Sequence, residues 1–341
     1  MKIYKNYFLK KLNTYQIKIR ARYFFEVRNK QDLENILEWK KKNKLRKFFV
    51  LGGGSNIIFR DDFYNGLVIK ISNQKTEWLK RDMVKVGAGR ELNSFLRSCQ
   101  KKKFYDIQSL AGIPGSVGAG VFGNVGAFGQ EIRKFVKKVE VYNLQKNKFE
   151  FLDHRDLEFS YRNSFLKQHR NKYIIFNVFF DLSTKFYKNN FMNTEYFSLR
   201  DFANRYSLGR LKKIDIRKNI LKLRKNIYPN IKKYPNVGST FKNIEITKSQ
   251  FKKILKEYPD IPNWELENNR IKIPTAYIFD KVLDLNGKVF GNIKVDNQRP
   301  LFFINRGRAT GREFYNLCQK IKREVKKKLN IGIEEEVFFV K

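Results

Sequence analysis

Between positions 111 and 129 the chain reads AGIPGSVGAGVFGNVGAFG, and seven of its twenty glycines stand there, at 112, 115, 118, 120, 123, 126 and 129. Such density frees the backbone to take positive φ and to approach a ligand closely, so that consecutive N–H groups can point at phosphate oxygens. A diphosphate-bearing cofactor suits the stretch; a tight structural loop is the plain alternative. The run has neither the length nor the proline of a collagen repeat. A second cluster, Gly52-Gly53-Gly54-Ser55-Asn56, follows the strand-like KFFVL of 47–51. It fits neither G-x-G-x-x-G nor G-x-x-x-x-G-K-[ST], so a Rossmann or Walker-type nucleotide site is not supported. By itself it reads equally well as a turn.

Composition narrows the classes around these clusters. A chain of 341 residues suggests two or three domains, and 42% hydrophobic with 15% aromatic residues excludes a disordered chain. No window reaches the roughly 18 apolar residues of a spanning helix, and the start, MKIYKNYFLKKL, lacks the apolar core of a signal peptide, so a cytoplasmic protein without a membrane partner is expected. Two cysteines, Cys99 and Cys318, lie far apart, and only His154 and His169 supply imidazole, so neither disulfides nor a metal site is expected. The net charge of +39 invites a nucleic-acid reading. Lysines, however, run from Lys2 to Lys341 beside an excess of Phe, Tyr, Asn and Ile. That pattern resembles a global drift toward A/T-rich codons rather than a binding face, so nucleic acid ranks below an enzymatic role.

Periodicity predicts strands within 15–30, at 47–51, 66–72, 83–86, 135–143, 148–152 and 173–182, with helices at 30–43 and 91–102. Residues 189–211 read as a polar, aromatic, mobile loop. A basic helix at 215–226 ends before Tyr228-Pro229-Asn230, a turn and candidate domain boundary. Beyond it, strand-like stretches at 239–243, 288–295, 301–305 and 337–340 alternate with helices at 248–257 and 311–329.

The strings VLGGGSNIIF (50–59), AGIPGSVGAGVFGNVGAFG (111–129), FSYRNSFLK (159–167), NVGSTFKN (236–243) and IEEEVFF (333–339), with Leu12-Asn13-Thr14 near the start, together resemble the UDP-N-acetylenolpyruvoylglucosamine reductase (MurB) family, in its branch with a tyrosine loop. The resemblance is ordered and nearly end to end. It implies an α+β fold: a two-subdomain FAD-binding region of the PCMH/vanillyl-alcohol-oxidase type, at 1–70 and 71–220, then a substrate-binding domain at 221–341 whose last strand returns to the first subdomain. It implies non-covalent FAD, NADPH as hydride donor, and reduction of UDP-N-acetylenolpyruvoylglucosamine to UDP-N-acetylmuramate for peptidoglycan, by a monomer. The implied flavin contacts are Gly52, Gly53, Gly54, Ser55 and Asn56, then Ile113, Pro114, Gly115, Ser116, Gly118, Asn124 and Gly126.

The implied catalytic residues are Arg162, Ser239 and Glu336. In the family's reaction a hydride reaches C3 of the enolpyruvyl group and charge moves toward C2 and the carboxylate. Arg162 and a protonated Glu336 would steady that charge, and Ser239 would protonate C2. A hydroxyl needs help for this, and Lys242 is a candidate helper. Without the family, Arg162 reads as a solvated arginine, Ser239 as a turn residue and 334–336 as an acidic run, with Glu334 the rival to Glu336. Tyr196 and Asn243 are the implied substrate contacts. Two positions depart from the pattern. Ile227 stands where a lysine is usual, with Lys225 or Lys232 as substitutes, and Phe128 replaces a tyrosine. Another flavin oxidoreductase of the same fold and a basic RNA-binding protein are the alternative readings.

Overall fold

The computed structural model describes residues 1–80, 82–128, 130–182, 216–266 and 269–341. The expected loop at 189–211, with Tyr196, lies outside the described residues. The chain forms two compact units, each gathered from separated stretches. Met1–Lys5, Tyr23–Gly53 and Gly66–Ile227 make the first; Asn6–Arg22, Gly54–Asn65 and Tyr228–Lys341 make the second.

The first unit is built on an antiparallel sheet in the order Lys148–Asp153, Val136–Asn143, Tyr173–Asp181, Met83–Gly87, Thr76–Trp78. Period-two alternation sends Val84, Val86, Val139, Val141, Val178 and Phe180 into the core. The helix Leu92–Lys101 covers them with Leu92, Phe95, Leu96 and Cys99, spaced to share one face. Phe95 stacks on Phe180 at 4.9 Å. Burying a phenylalanine like this contributes about 1.5–3 kcal/mol. One carboxylate is buried in the sheet, Glu140, and both its oxygens are met: by Lys30 Nζ at 2.5 Å and by Asn177 Nδ2 at 2.6 Å. A buried acid is tolerated when its lone pairs are satisfied in this way. Beside this layer, Phe48–Leu51 pairs in parallel with Phe63–Ile71, which sets Leu51 opposite Lys70 at the entrance to the 52–56 turn.

In the second unit the helix Gly311–Leu329 opens with a reciprocal cap, Thr310 Oγ1 accepting from Glu313 N–H while the Glu313 carboxylate accepts from Thr310 N–H. Phe314 is fully buried on its inner face, 4.9 Å from Tyr15 and 5.7 Å from Phe303. The final strand, Phe338–Val340, lies parallel to Ile57–Phe59. A small antiparallel sheet runs Ile244–Thr247, Arg270–Ile273, Trp264–Leu266.

Three local expectations change. The glycine-rich stretch is partly helical: Val117–Phe122 forms a short helix because Ser116 caps it, accepting from Ala119 N–H. The strand expected at 288–295 is a hairpin of Val289–Phe290 and Ile293–Val295, turned by Gly291 at φ +57°. Residues 239–243 form only single bridges, Ser239 to Phe302 and Phe241 to Glu335.

Candidate active site

In the first unit the two glycine clusters meet backbone to backbone. A Cβ on Gly53 would lie 2.4 Å from Gly115 Cα and 2.8 Å from Ser116 N, and one on Gly52 would lie 2.8 Å from Ala119 Cβ. Only glycine permits this approach. Gly118 is held as closely: its N–H donates to Ala88 C=O at 2.9 Å, and a Cβ there would lie 2.6 Å from Ala88 Cβ. Ile113 and Val117 N–H donate to Leu110 and Arg90 carbonyls. By contrast, the N–H groups of Gly53, Gly115 and Ser116 meet no acceptor among the described residues. Three backbone donors without acceptors, brought side by side from two segments, are the type of donor set that can bind a phosphate or diphosphate. The residues present therefore fit a diphosphate such as the flavin's.

Asn124 and Gly126 link this cradle to Arg162. Asn124 is fully buried at φ +44°, and its amide donates to Ser160 C=O at 2.9 Å. Arg162 itself has φ +54°, a conformation that arginine rarely adopts and that a supporting framework must hold. Its Nη2 donates to Gly126 C=O at 3.0 Å, its guanidinium lies 5.1 Å from the Tyr161 ring, and its own C=O accepts from Lys167 Nζ at 2.7 Å. Beside the same stretch, the Arg224 guanidinium stands 5.3 Å from the Phe128 ring, so the ring that replaces a tyrosine retains an aromatic role.

The second unit gathers Leu12–Thr14 with residues 54–56, 236–242 and 334–337. Thr14 N–H donates to Gly54 C=O at 3.0 Å, and its hydroxyl donates to Asn236 C=O at 2.8 Å. Gly54, at φ +65°, passes so close to Leu12 that no Cβ fits. Asn236 Oδ1 accepts from Gly238 N–H at 2.9 Å, and Gly238 at φ +78° turns the chain to present Ser239. Among the described residues nothing bonds the Ser239 hydroxyl. Glu336 is fixed beside it: its N–H donates to Thr240 C=O at 2.8 Å, and its C=O accepts from Asn56 Nδ2 at 3.0 Å.

The three adjacent glutamates differ in their surroundings. Glu334 is exposed and paired with Lys242 Nζ at 2.8 Å. Glu335 accepts from Lys322 Nζ at 2.9 Å and Gln319 Nε2 at 3.0 Å. Lys242, the candidate helper for Ser239, thus has its ammonium on Glu334. Asn243 is half-buried in the second unit, next to the Ser239 segment. Ile227, in the place of a lysine, packs on the apolar core of the first unit, while Lys225 and Lys232 are exposed. Both cysteines are free and buried, and burial raises both thiols well above the usual range. Among the described residues no cluster of His, Cys, Asp and Glu could hold a metal, and no helix is long and apolar enough to cross a membrane.

Residues 21–146 match an FAD-binding domain, and residues 230–340 match the family described as UDP-N-acetylenolpyruvoylglucosamine reductase, C-terminal domain. An FAD-binding domain of the PCMH type followed by this C-terminal domain defines a flavoprotein class. Relatives extend the match over the whole chain. The UDP-N-acetylenolpyruvoylglucosamine reductase of Flavobacterium johnsoniae is 30% identical, covering 99% of each chain. That of Buchnera aphidicola subsp. Baizongia pistaciae is 34% identical over 96% of this chain and 97% of its own. The chain belongs to the UDP-N-acetylenolpyruvoylglucosamine reductase (MurB) family. The crystal structure of the Thermus caldophilus reductase covers all of both chains with a TM-score of 0.69 at 19% identity, a likeness of fold.

Proposed function

We propose that this chain is a UDP-N-acetylmuramate dehydrogenase, reducing UDP-N-acetylenolpyruvoylglucosamine with NADPH through bound FAD for peptidoglycan synthesis. FAD, when bound, supplies the means of passing a hydride from the nicotinamide to the enolpyruvyl double bond. The flavin would be held by 52–56 and by Ile113, Pro114, Gly115, Ser116, Gly118, Asn124 and Gly126. The rest is work for side chains. As the hydride reaches C3, negative charge grows toward C2 and the carboxylate, and the fixed guanidinium of Arg162 meets it. The Ser239 hydroxyl delivers the proton to C2, and the Glu336 carboxyl completes the donor set. Asn243 and Tyr196 are the proposed contacts to the sugar nucleotide, and the tyrosine-loop branch is the one proposed.

The observation that carries this reading is the tie from Glu336 N–H to Thr240 C=O at 2.8 Å. It brings an acid and a hydroxyl 97 positions apart in sequence onto adjacent backbone, with Ser239 presented on a turn that only a positive-φ residue completes. The test begins with the visible spectrum of the purified protein. A flavin spectrum that bleaches on addition of NADPH supports the reading. A colourless protein that takes up no added FAD removes it.

A further inference from the structure

Lys70 interrupts an otherwise apolar strand. In Phe63–Ile71 its neighbours Leu67, Val68, Ile69 and Ile71 are buried, and the lysine is itself partly buried among them. Taking an ammonium out of water is costly unless it is paired or hydrogen-bonded inside the protein. Burial pulls the Lys70 ammonium below the ordinary lysine range, and Glu26 opposes that pull without cancelling it. What the ammonium meets is the carbonyl of Gly52, the first residue of the glycine turn.

The peptide after Gly52 is trans, so its C=O and the N–H of Gly53 point in opposite directions. An ammonium holding the Gly52 carbonyl therefore turns Gly53 N–H away from Lys70. Gly53 packs against Gly115 and Ser116, whose N–H groups likewise have no acceptor among the described residues. We propose that Lys70 is a positioning residue of the diphosphate site: it locks the Gly52–Gly53 peptide so that Gly53 N–H joins those of Gly115 and Ser116, and it places a fixed positive charge behind the anion. Glycine lets the turn approach closely but leaves its peptide planes free to rotate. The lysine removes that freedom before the ligand arrives, so less ordering is left to oppose binding. The proposal rests on the flavin reading of this turn.

The test uses flavin-free full-length protein, with Lys70→Met and Lys70→Gln beside the parent. FAD affinity is read by fluorescence quenching, inorganic pyrophosphate affinity by calorimetry, and the fold by the thermal midpoint of the flavin-free forms. Lys70→Met is expected to lose about tenfold or more in affinity for both ligands, the scale of a charge-assisted hydrogen bond. Its midpoint should equal or exceed the parent's, because a buried charge is gone. Lys70→Gln, a neutral donor, should recover part of the loss. The proposal is overturned if Lys70→Met binds FAD within twofold of the parent, or if Lys70→Gln is as weak as Lys70→Met. A parent that binds pyrophosphate but not FAD would end the flavin reading and leave the lysine's role standing. A parent that binds neither would end both.

Discussion

Replacing Gly53 by alanine tests the contact on which the proposed cofactor site depends. The added Cβ would sit 2.4 Å from Gly115 Cα, 2.8 Å from Gly115 C and 2.8 Å from Ser116 N. All three are backbone atoms, so no side chain can swing aside. Carbon atoms rest at about 3.5–4.0 Å, and the two segments must therefore part by roughly 1 Å. Overpacking of this kind costs about 1–3 kcal/mol, partly offset by the about 0.4–1 kcal/mol that alanine gains by restricting the unfolded chain. The flavin-free protein should lose roughly 1–2 °C in thermal midpoint for each kcal/mol that remains, given the length of the chain. FAD affinity should fall by about tenfold or more, since 1.4 kcal/mol of lost donor geometry is a factor of ten. Gly332→Ala is the control: its Cβ would meet nothing within 4 Å, so FAD affinity should stay at the parent's value and the midpoint should rise slightly, by the alanine gain alone. A Gly53→Ala protein that melts with the parent and binds FAD equally well would refute the packing argument.

Ser239→Ala should still let NADPH reduce the flavin while product formation falls by about 10²–10⁴-fold, the range of a lost general acid; rapid mixing separates the two half-reactions, and loss of both would make the serine structural. Glu334→Gln, which removes an exposed ion pair with Lys242, should change stability by no more than about 1 kcal/mol and leave turnover intact, whereas Glu336→Gln should abolish turnover; the reverse pattern in steady-state rates would reassign the acid. Burial opposes ionisation of Glu313, but hydrogen bonds from Thr310 and Asn292 outweigh it and hold its carboxyl below the usual range. Because the folded value is the lowered one, its stabilisation is present above the unfolded carboxyl value and disappears as pH falls through the folded value. Denaturant midpoints of Glu313→Gln should therefore depend less on pH in that acid range than the parent's.

Much of the fold was legible because its longer elements carry their own pattern. The helix Gly311–Leu329 has the bounds that its apolar spacing predicts, and Leu92–Lys101 and Lys248–Glu257 lie where expected. Short strands such as Arg270–Ile273 and Trp264–Leu266 escape notice, because three or four residues cannot display a period and their pairing is set by distant segments. The glycine stretch displayed its flexibility but concealed its helix, which depends on the Ser116 cap and on packing against Ala88. Site residues were legible only as strings. Nothing local tells Glu336 from Glu334; the difference is tertiary, Lys242 meeting one and the Asn56 and Thr240 segments holding the backbone of the other. Lys70 did leave a signal, a lysine inside an apolar strand, but its target became visible only when Leu51 and Lys70 were paired across the sheet.

The most direct measurement follows NADPH absorbance with purified, FAD-loaded protein, with and without UDP-N-acetylenolpyruvoylglucosamine. The account predicts sustained NADPH consumption only when the enolpyruvyl sugar nucleotide is present, with UDP-N-acetylmuramate accumulating in equal amount. A protein that binds FAD and is reduced by NADPH, yet leaves this substrate unchanged, would contradict it.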